Sequence, residues 1–337
     1  MMNSKQKKRR PKIVVIGGGT GLPVVLKSLK EKDADVTAVV TVADDGGSSG
    51  ALRESINAVP PGDLRNVLIA LSEIPETFKE IFQYRFKTDD ETLAGHSIGN
   101  LIISATADMK GNIYEAIQLL AKMMQVKGHV YPAAEEPLIL NARYVDGSTE
   151  KGESKIAKEG KMIDYVALSC VGEAHPIMAS RKVVSAIMDA DMVVLGPGSL
   201  FTSILPNLMI PDLGEAVMNT EAKVVYICNI MTQLGETENL SDAEHIQVLH
   251  KHLGKKFVDI ALANIGKVPD EYVEDIQSTE NLLQVEHDFK SMQKEVPIII
   301  SDDFLEYRNK GVYHNGEKVA EEIFRTAFNA QRAFLKF

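Results

Sequence analysis

Apolar positions along the 337-residue chain fall into two recurring patterns. Short runs rich in β-branched residues, Lys12–Ile16, Val36–Val42, Met192–Leu195, Lys223–Cys228, Val258–Ala263 and Val296–Ile300, read as strands buried on both faces. Between them apolar residues recur at every third or fourth position. In Asn112–Lys127 the residues Ile113, Ile117, Leu120 and Met124 form one helical stripe. Pro176–Met188 repeats it through Ile177, Val184 and Ile187, and Ser241–Leu253 through Ile246, Leu249 and Leu253. This alternation predicts an α/β fold, a Rossmann-like mostly parallel sheet with helices on both faces. One section breaks the rhythm. Leu138–Tyr144 alternates with a period of two, Asp146–Gly160 is polar and Met162–Leu168 is again strand-like, which predicts a small antiparallel β insertion at about 130–172. The expectation is a single domain over 12–337 behind a disordered basic tail, 1–11.

Charge adds a constraint. With 37 Lys+Arg against 47 Asp+Glu the net charge is −10, which argues against a nucleic-acid binder that neutralises phosphates. Lys5, Lys7, Lys8, Arg9, Arg10 and Lys12 all fall in the first twelve positions, so the rest of the chain sets 31 basic residues against 47 acidic ones, a charge of −16. Any anionic ligand must be held by short-range contacts. Two cysteines, Cys170 and Cys228, are too few for a disulfide framework, and the expected compartment is the reducing cytoplasm. No run approaches the ~18 apolar residues of a membrane span.

The first strand runs into Gly17-Gly18-Gly19-Thr20-Gly21 and then an apolar helix, a context in which exposed backbone N–H groups at a helix N-terminus hold phosphate. Leu22 stands where the dinucleotide fingerprint wants glycine, which makes NAD(P) the weaker fit, and no Gly-Lys-Ser/Thr follows to make a Walker A loop. The second strand ends in Ala43-Asp44-Asp45-Gly46-Gly47-Ser48-Ser49-Gly50, read as a loose loop whose carboxylates can hold Mg2+ or a ribose hydroxyl. Gly46–Gly50 also spells Gly-x-Ser-x-Gly, yet two aspartates separate it from the strand, unlike a hydrolase elbow.

Three further segments read as helix starts. In Pro61-Gly62-Asp63-Leu64-Arg65-Asn66 the expected cap is Asp63, with Arg65 a fixed positive fork beside Asn66. Gly95–Asn100 sets Ser97 as a cap between His96 and Asn100, and Gly196-Pro197-Gly198-Ser199 makes a second strand–glycine turn–helix unit. Each alone fits ordinary capping; two glycine turns after separate strands would aim two helix N-termini into one crevice. Asn229 and Thr232, beyond another core strand, can read a sugar or base edge. His245, His250 and His252 are spaced by five and two, which suits a solvated helix better than a metal site.

The blocks Gly17–Gly21, Ala43–Gly50, Pro61–Asn66, Gly95–Asn100, Gly196–Ser203 and Cys228–Thr237, in this order, resemble the bacterial gluconeogenesis factor (YvcK-like) family, within the CofD-like superfamily. The resemblance implies a cytoplasmic regulator of gluconeogenic growth, cell shape and cell-wall precursor supply. It further implies binding of UDP-sugars, UDP-N-acetylglucosamine above all, and action on glucosamine-6-phosphate synthase. By position Tyr272 and Arg308 match residues of that family implicated in nucleotide-sugar binding, whereas Gly311 stands where some members carry a phosphorylatable threonine. Kinase control at that position therefore does not carry over.

Two functions follow from these residues. One is a UDP-sugar sensor whose ligand biases a partner surface; the other is an Mg2+-dependent nucleotidyl or phosphoryl transferase using Asp44 and Asp45. The first is the better match, because a binding crevice is plainer in the sequence than an acid–base pair. Homo-oligomerisation stays open.

Overall fold

The computed structural model describes residues 9–56, 59–88, 93–172, 175–269, 283–308 and 311–334. The chain begins with β1 (Lys12–Gly17), α1 (Gly21–Leu29) and β2 (Asp35–Val40). It continues through α2 (Gly47–Ile56), α3 (Gly62–Leu71), α4 (Glu76–Gln83), α5 (Ile98–Lys110) and α6 (Ile113–Met123) to β3 (His129–Pro132). Next come β4 (Leu138–Tyr144), β5 (Thr149–Lys151), the one-turn α7 (Glu153–Ile156) and β6 (Ile163–Cys170). α8 (Arg181–Met188) leads to β7 (Met192–Leu195), a π-helical turn Leu200–Ile204, α9 (Leu205–Leu208), α10 (Pro211–Asn219), β8 (Lys223–Ile227), α11 (Asp242–Leu253) and β9 (Ile260–Asn264). α12 (Phe289–Glu295), β10 (Ile298–Asp302), the antiparallel pair β11 (Leu305–Arg308) and β12 (Gly311–His314), and α13 (Gly316–Phe334) follow.

Seven strands pair in parallel in the order β10-β9-β8-β7-β1-β2-β3. All four residues of β7 and all five of β9 are buried, although successive side chains point to opposite faces, so both faces of the sheet are covered. The mostly parallel α/β fold with a separate three-stranded antiparallel sheet, order β5-β4-β6, is as the sequence pattern predicts. Helix starts are locally encoded: Ser97 Oγ accepts the Asn100 N–H at 3.2 Å, and Ser241 with Glu244 forms a full capping box on α11.

Four expectations need correction. The β insertion does not start at 130, because β3 pairs with β2 as the edge of the main sheet, Thr37 opposite His129. Four residues ending in proline are too short a run to declare a strand by periodicity. Residues 176–180 are not helical; Ser180 N–H donates to the Ala133 carbonyl at 3.2 Å and Ala179 N–H to Asp212 at 2.9 Å, so helix α8 starts only at Arg181. Within the expected tail, Arg9 grips Asp191 with both guanidinium nitrogens and Arg10 pairs with Asp33; residues 1–8 lie outside the described set.

The last correction concerns α11, which is not a solvated helix: His245, His250 and His252 are all buried. His252 stacks on Tyr165 with 4.5 Å between ring centroids, and its Nε2 accepts the Val166 N–H at 3.0 Å. Lys251 donates to the Asp164 carbonyl at 3.1 Å. α11 thus closes the free edge of β6, whose unpaired backbone groups would otherwise invite another strand.

His252→Ala should lower stability by about 2–3 kcal/mol in urea denaturation, because it strands a buried N–H and removes a ring contact. Nδ1 donates to the Val248 carbonyl, which fixes Nε2 as the acceptor, and burial holds the imidazole below its ordinary 6.5. Wild-type stability should therefore fall as pH drops below about 6.5, since the unfolded chain takes up the proton first. His252→Ala should show a shallower fall, and parallel pH profiles for the two proteins would count against this role.

Candidate functional site

Strand order fixes where a ligand can enter. The winding runs outward from β1 through β2 and β3 on one side, and from β7 through β8, β9 and β10 on the other, so it reverses between β1 and β7. A crevice opens at such a point beyond the carboxyl ends of the strands. The two glycine turns leave these two adjacent strands. They touch through backbone: Gly196 N–H donates to the Ile16 carbonyl at 2.9 Å, and a Cβ on Gly198 would lie 3.1 Å from the Gly18 oxygen. Gly19 adopts φ +68°, a left-handed conformation that favours glycine.

A cavity of about 750 Å³ lies over the turns. Its walls are Gly19, Thr20 and Gly21 from one turn, Gly198 and Ser199 from the other, Asn229, Thr232 and Glu236 beyond β8, Glu153 of α7, and Tyr313 and His314 of β12. Thr20 is the N-cap of α1, but no side chain caps that helix, so its first N–H groups remain available to an anion. Ser199 Oγ accepts the Thr202 N–H at 3.0 Å and donates to Glu236. Burial pushes Glu236 up to about 7, although Ser199, Thr202 and Phe201 all donate to it. Leu22, the residue that breaks the dinucleotide pattern, is fully buried on the inner face of the first turn of α1.

An acidic group adjoins these turns. Asp44 accepts the Gly46 N–H at 2.8 Å and Asp45 the Ser154 N–H at 2.7 Å, which docks the insertion on to the end of β2. Asp63 does not cap α3, where Pro61 holds the N-cap position; it accepts the Gly19 N–H at 2.8 Å and so holds the first glycine turn. Burial raises Asp63 to about 6, with Asp44 adding to the shift. Glu153 is raised to about 7, first by burial and then by Asp44, Asp45, Glu236 and Asp63. The Gly47–Gly50 stretch is the start of α2 and not a loop.

Arg65 is not an open fork. It is buried, donates to Ser97, to Asn100 Oδ1 at 2.7 Å and to Asn66 Oδ1 at 2.9 Å, and burial lowers it to about 10. Ser48 Oγ joins this network to His96 at 2.9 Å and to the Asn100 amide at 3.0 Å. Arg65, Asn66, His96 and Asn100 therefore brace the acidic side and do not line the cavity, while Gly17, Gly18 and Gly196 form the backbone beneath it. Arg308 lies on β11 opposite Gly311, half-exposed and chelating Glu306 through two nitrogens; only the paired strand β12 reaches the cavity wall. Tyr272 lies outside the described residues. A Cβ on Gly311 would sit 2.7 Å from the outer end of the exposed Tyr313 ring, which would have to turn aside for any larger residue.

The hard oxygen donors of Asp44 and Asp45 fit Mg2+, and their mutual repulsion with Glu153 is what a cation relieves. Among the described residues they do not close with a third acid or imidazole into a set within 4.8 Å. They would supply one or two carboxylates, leaving the other positions to water and substrate phosphate. Another cavity, about 810 Å³ at the amino ends of the strands, is rich in Arg9, Arg10, Lys12 and Lys127, but these already pair with Asp191, Asp33, Asp189 and Glu73. Asp63, Glu153 and Glu236 are the residues that sequence reasoning missed at the site. Asp63 and Glu236 lie inside recognisable blocks, whereas nothing in the polar run around Glu153 marks it.

A parallel sheet whose winding reverses between two glycine turns defines a doubly wound α/β protein, and residues 13–305 match the family of 2-phospho-L-lactate transferase CofD. The chain belongs to this CofD family, and within it to the gluconeogenesis-factor group. A relative from Lactococcus lactis subsp. lactis is 54% identical over 313 residues, covering 93% of this chain and 96% of that one. The gluconeogenesis factor of Listeria innocua is 47% identical over 317 residues, 94% and 96% of the two chains. Two crystal structures of a Bacillus halodurans protein, 40% identical, superpose with TM-scores of 0.89 and 0.88 over 93% of this chain and 99% of that one. Among the described residues no helix is long and apolar enough to cross a membrane.

Because native Glu153 keeps its proton up to about 7 while the unfolded chain releases it near 4.5, its contribution to stability falls as pH rises between those values. Glu153→Gln should match wild type at pH 4 and exceed it at pH 8 by ~1–3 kcal/mol, a rise of several degrees in Tm. Equal Tm values at pH 8 would remove the proposed repulsion.

Proposed function

We propose that this chain is a UDP-sugar-binding regulatory factor in gluconeogenic growth, with UDP-N-acetylglucosamine as the preferred ligand. The observation that carries the reading is the pair of glycine turns on adjacent strands facing one cavity of about 750 Å³. That volume suits a nucleotide-sized ligand. In this reading the diphosphate lies on the turn amides and the N-terminus of α1, where neutral N–H donors hold an anion without a cluster of basic side chains. Asn229 and Thr232 face the sugar or uracil edges; Arg308 joins the diphosphate on leaving Glu306.

The name of the Listeria relative supports the gluconeogenic role. The family resemblance supports the finer points: a cytoplasmic location, glucosamine-6-phosphate synthase as partner, and an effect on cell shape through wall-precursor supply. Regulation then requires that ligand binds one conformation of the protein better than another.

The acidic group favours a second reading, an Mg2+-dependent nucleotidyl or phosphoryl transferase. Asp44 and Asp45 hold the cation against the diphosphate, and the cation's chemistry is charge neutralisation on the transferred group. Glu236 and Glu153, poised at about 7, are the groups able to take or give a proton there.

Calorimetric titration with UDP-N-acetylglucosamine should give saturable binding, weakened about tenfold in Asn229→Ala by the loss of a hydrogen bond. Arg308→Ala should weaken it too; equal affinity in both variants and wild type would take the ligand out of this cavity. For the second reading, pure protein with Mg2+, UTP and N-acetylglucosamine 1-phosphate should release pyrophosphate. Turnover no greater than in the Asp44→Asn, Asp45→Asn double variant would reject it.

A further inference from the structure

We propose a second binding site, for a Zn2+-class divalent cation, built from Glu136, Cys170 and His175. None of the three lines the cavity over the glycine turns. Cys170 is the last residue of β6 and lies opposite Leu138, the first residue of β4. Glu136 stands two residues ahead of that strand, so the antiparallel register brings it to the end of β6. His175 lies five residues past Cys170 and is returned to the same place because Ala179 bridges Ala134 and Ser180 N–H binds the Ala133 carbonyl at 3.2 Å.

The contacts are those of a ligand set. Cys170 Sγ is 3.7 Å from His175 Nδ1, and His175 Nε2 is 3.0 Å from Glu136 Oε2. Cys170 Sγ also donates to the His175 carbonyl at 3.3 Å. One sulfur, one nitrogen and one carboxylate oxygen lie within 4.8 Å of one another, and no other such group of three occurs among the described residues. Two ligands on one tetrahedral Zn2+ are roughly 3.3–3.6 Å apart, as its bond lengths require, so a small turn of the imidazole brings one of its nitrogens into place.

Donor chemistry selects the ion. A thiolate with an imidazole favours Zn2+ and its soft relatives over Mg2+ or Ca2+, which take oxygen. Three protein ligands leave a fourth position to water, and the side chains are open to it: Glu136 is 32% and His175 47% exposed. The ion ties the end of β6 to the approach to β4. Binding displaces the thiol proton, so affinity falls as pH falls.

Co2+ titration of the full chain, followed by Zn2+, tests this. One equivalent should raise a thiolate-to-cobalt charge-transfer band in the near ultraviolet, and Zn2+ should bleach it. Cys170→Ser should abolish the band; Cys228 is buried and should not replace it. His175→Ala and Glu136→Gln should each weaken Co2+ by at least about tenfold. Unchanged circular dichroism in these part-exposed variants separates loss of a ligand from loss of the fold. No band in wild type, a band retained in Cys170→Ser, or unchanged affinity in both His175→Ala and Glu136→Gln would overturn the proposal.

Discussion

Where β1 and β7 lie side by side, Gly196 donates its N–H to Ile16 and the two glycine turns come into backbone contact, with Gly198 packed against the Gly18 carbonyl. A Cβ on Gly18 would lie 2.5 Å from Asp63 and from Thr41, and one on Gly21 3.3 Å from Pro197. The absence of side chains at these positions lets Asp63 reach the Gly19 N–H and lets α1 begin at the rim of the cavity. A substituted turn would push the two strand ends apart, and the cavity walls contributed by β8 and the insertion would lose their common floor.

Charge is distributed around this floor in a way that net composition does not suggest. Arg65, which acts on Asp63 beside the first turn, is committed to Ser97, Asn100 and Asn66, while Asp44, Asp45, Asp63, Glu153 and Glu236 gather on the approach. Three of them are held near neutrality by burial, Asp63 at about 6 and Glu153 and Glu236 at about 7. An anion arriving on the turn amides pushes such groups further toward their protonated form, or draws a cation between them. Binding of any anion in this setting is therefore coupled to protons and divalent ions, which offset part of the repulsion from the −16 body.

The insertion is integrated with the main sheet by polar contacts at both ends. Asp45 receives the Ser154 N–H on the ligand side, and His252 with Lys251 closes the free edge of β6 on the other. This is why the polar-looking α11 buries His252, whose ring nitrogen stands in for the strand that β6 lacks, while His250 pairs with Glu295 and accepts the Val258 N–H. Glu153 reaches the cavity only because the insertion is pinned in this way.

The sequence by itself determined the parallel α/β sheet, both glycine turns, the cap Ser97, and the family, because each rests on local periodicity or on residue types within a few positions. It could not show β3, a four-residue strand ending in proline, nor the burial of His245, His250 and His252, since helical spacing does not say which neighbour covers a face. Asp63 read as a cap and Arg65 as a free clamp because their partners, Gly19 and Asn100, are 44 and 35 residues away. The approach of Glu153 to Asp44 and Asp45 was decided by tertiary structure alone. Local sequence specifies which groups a segment offers, whereas burial and charge coupling, which set the properties of those groups, come from segments that meet only in the folded chain.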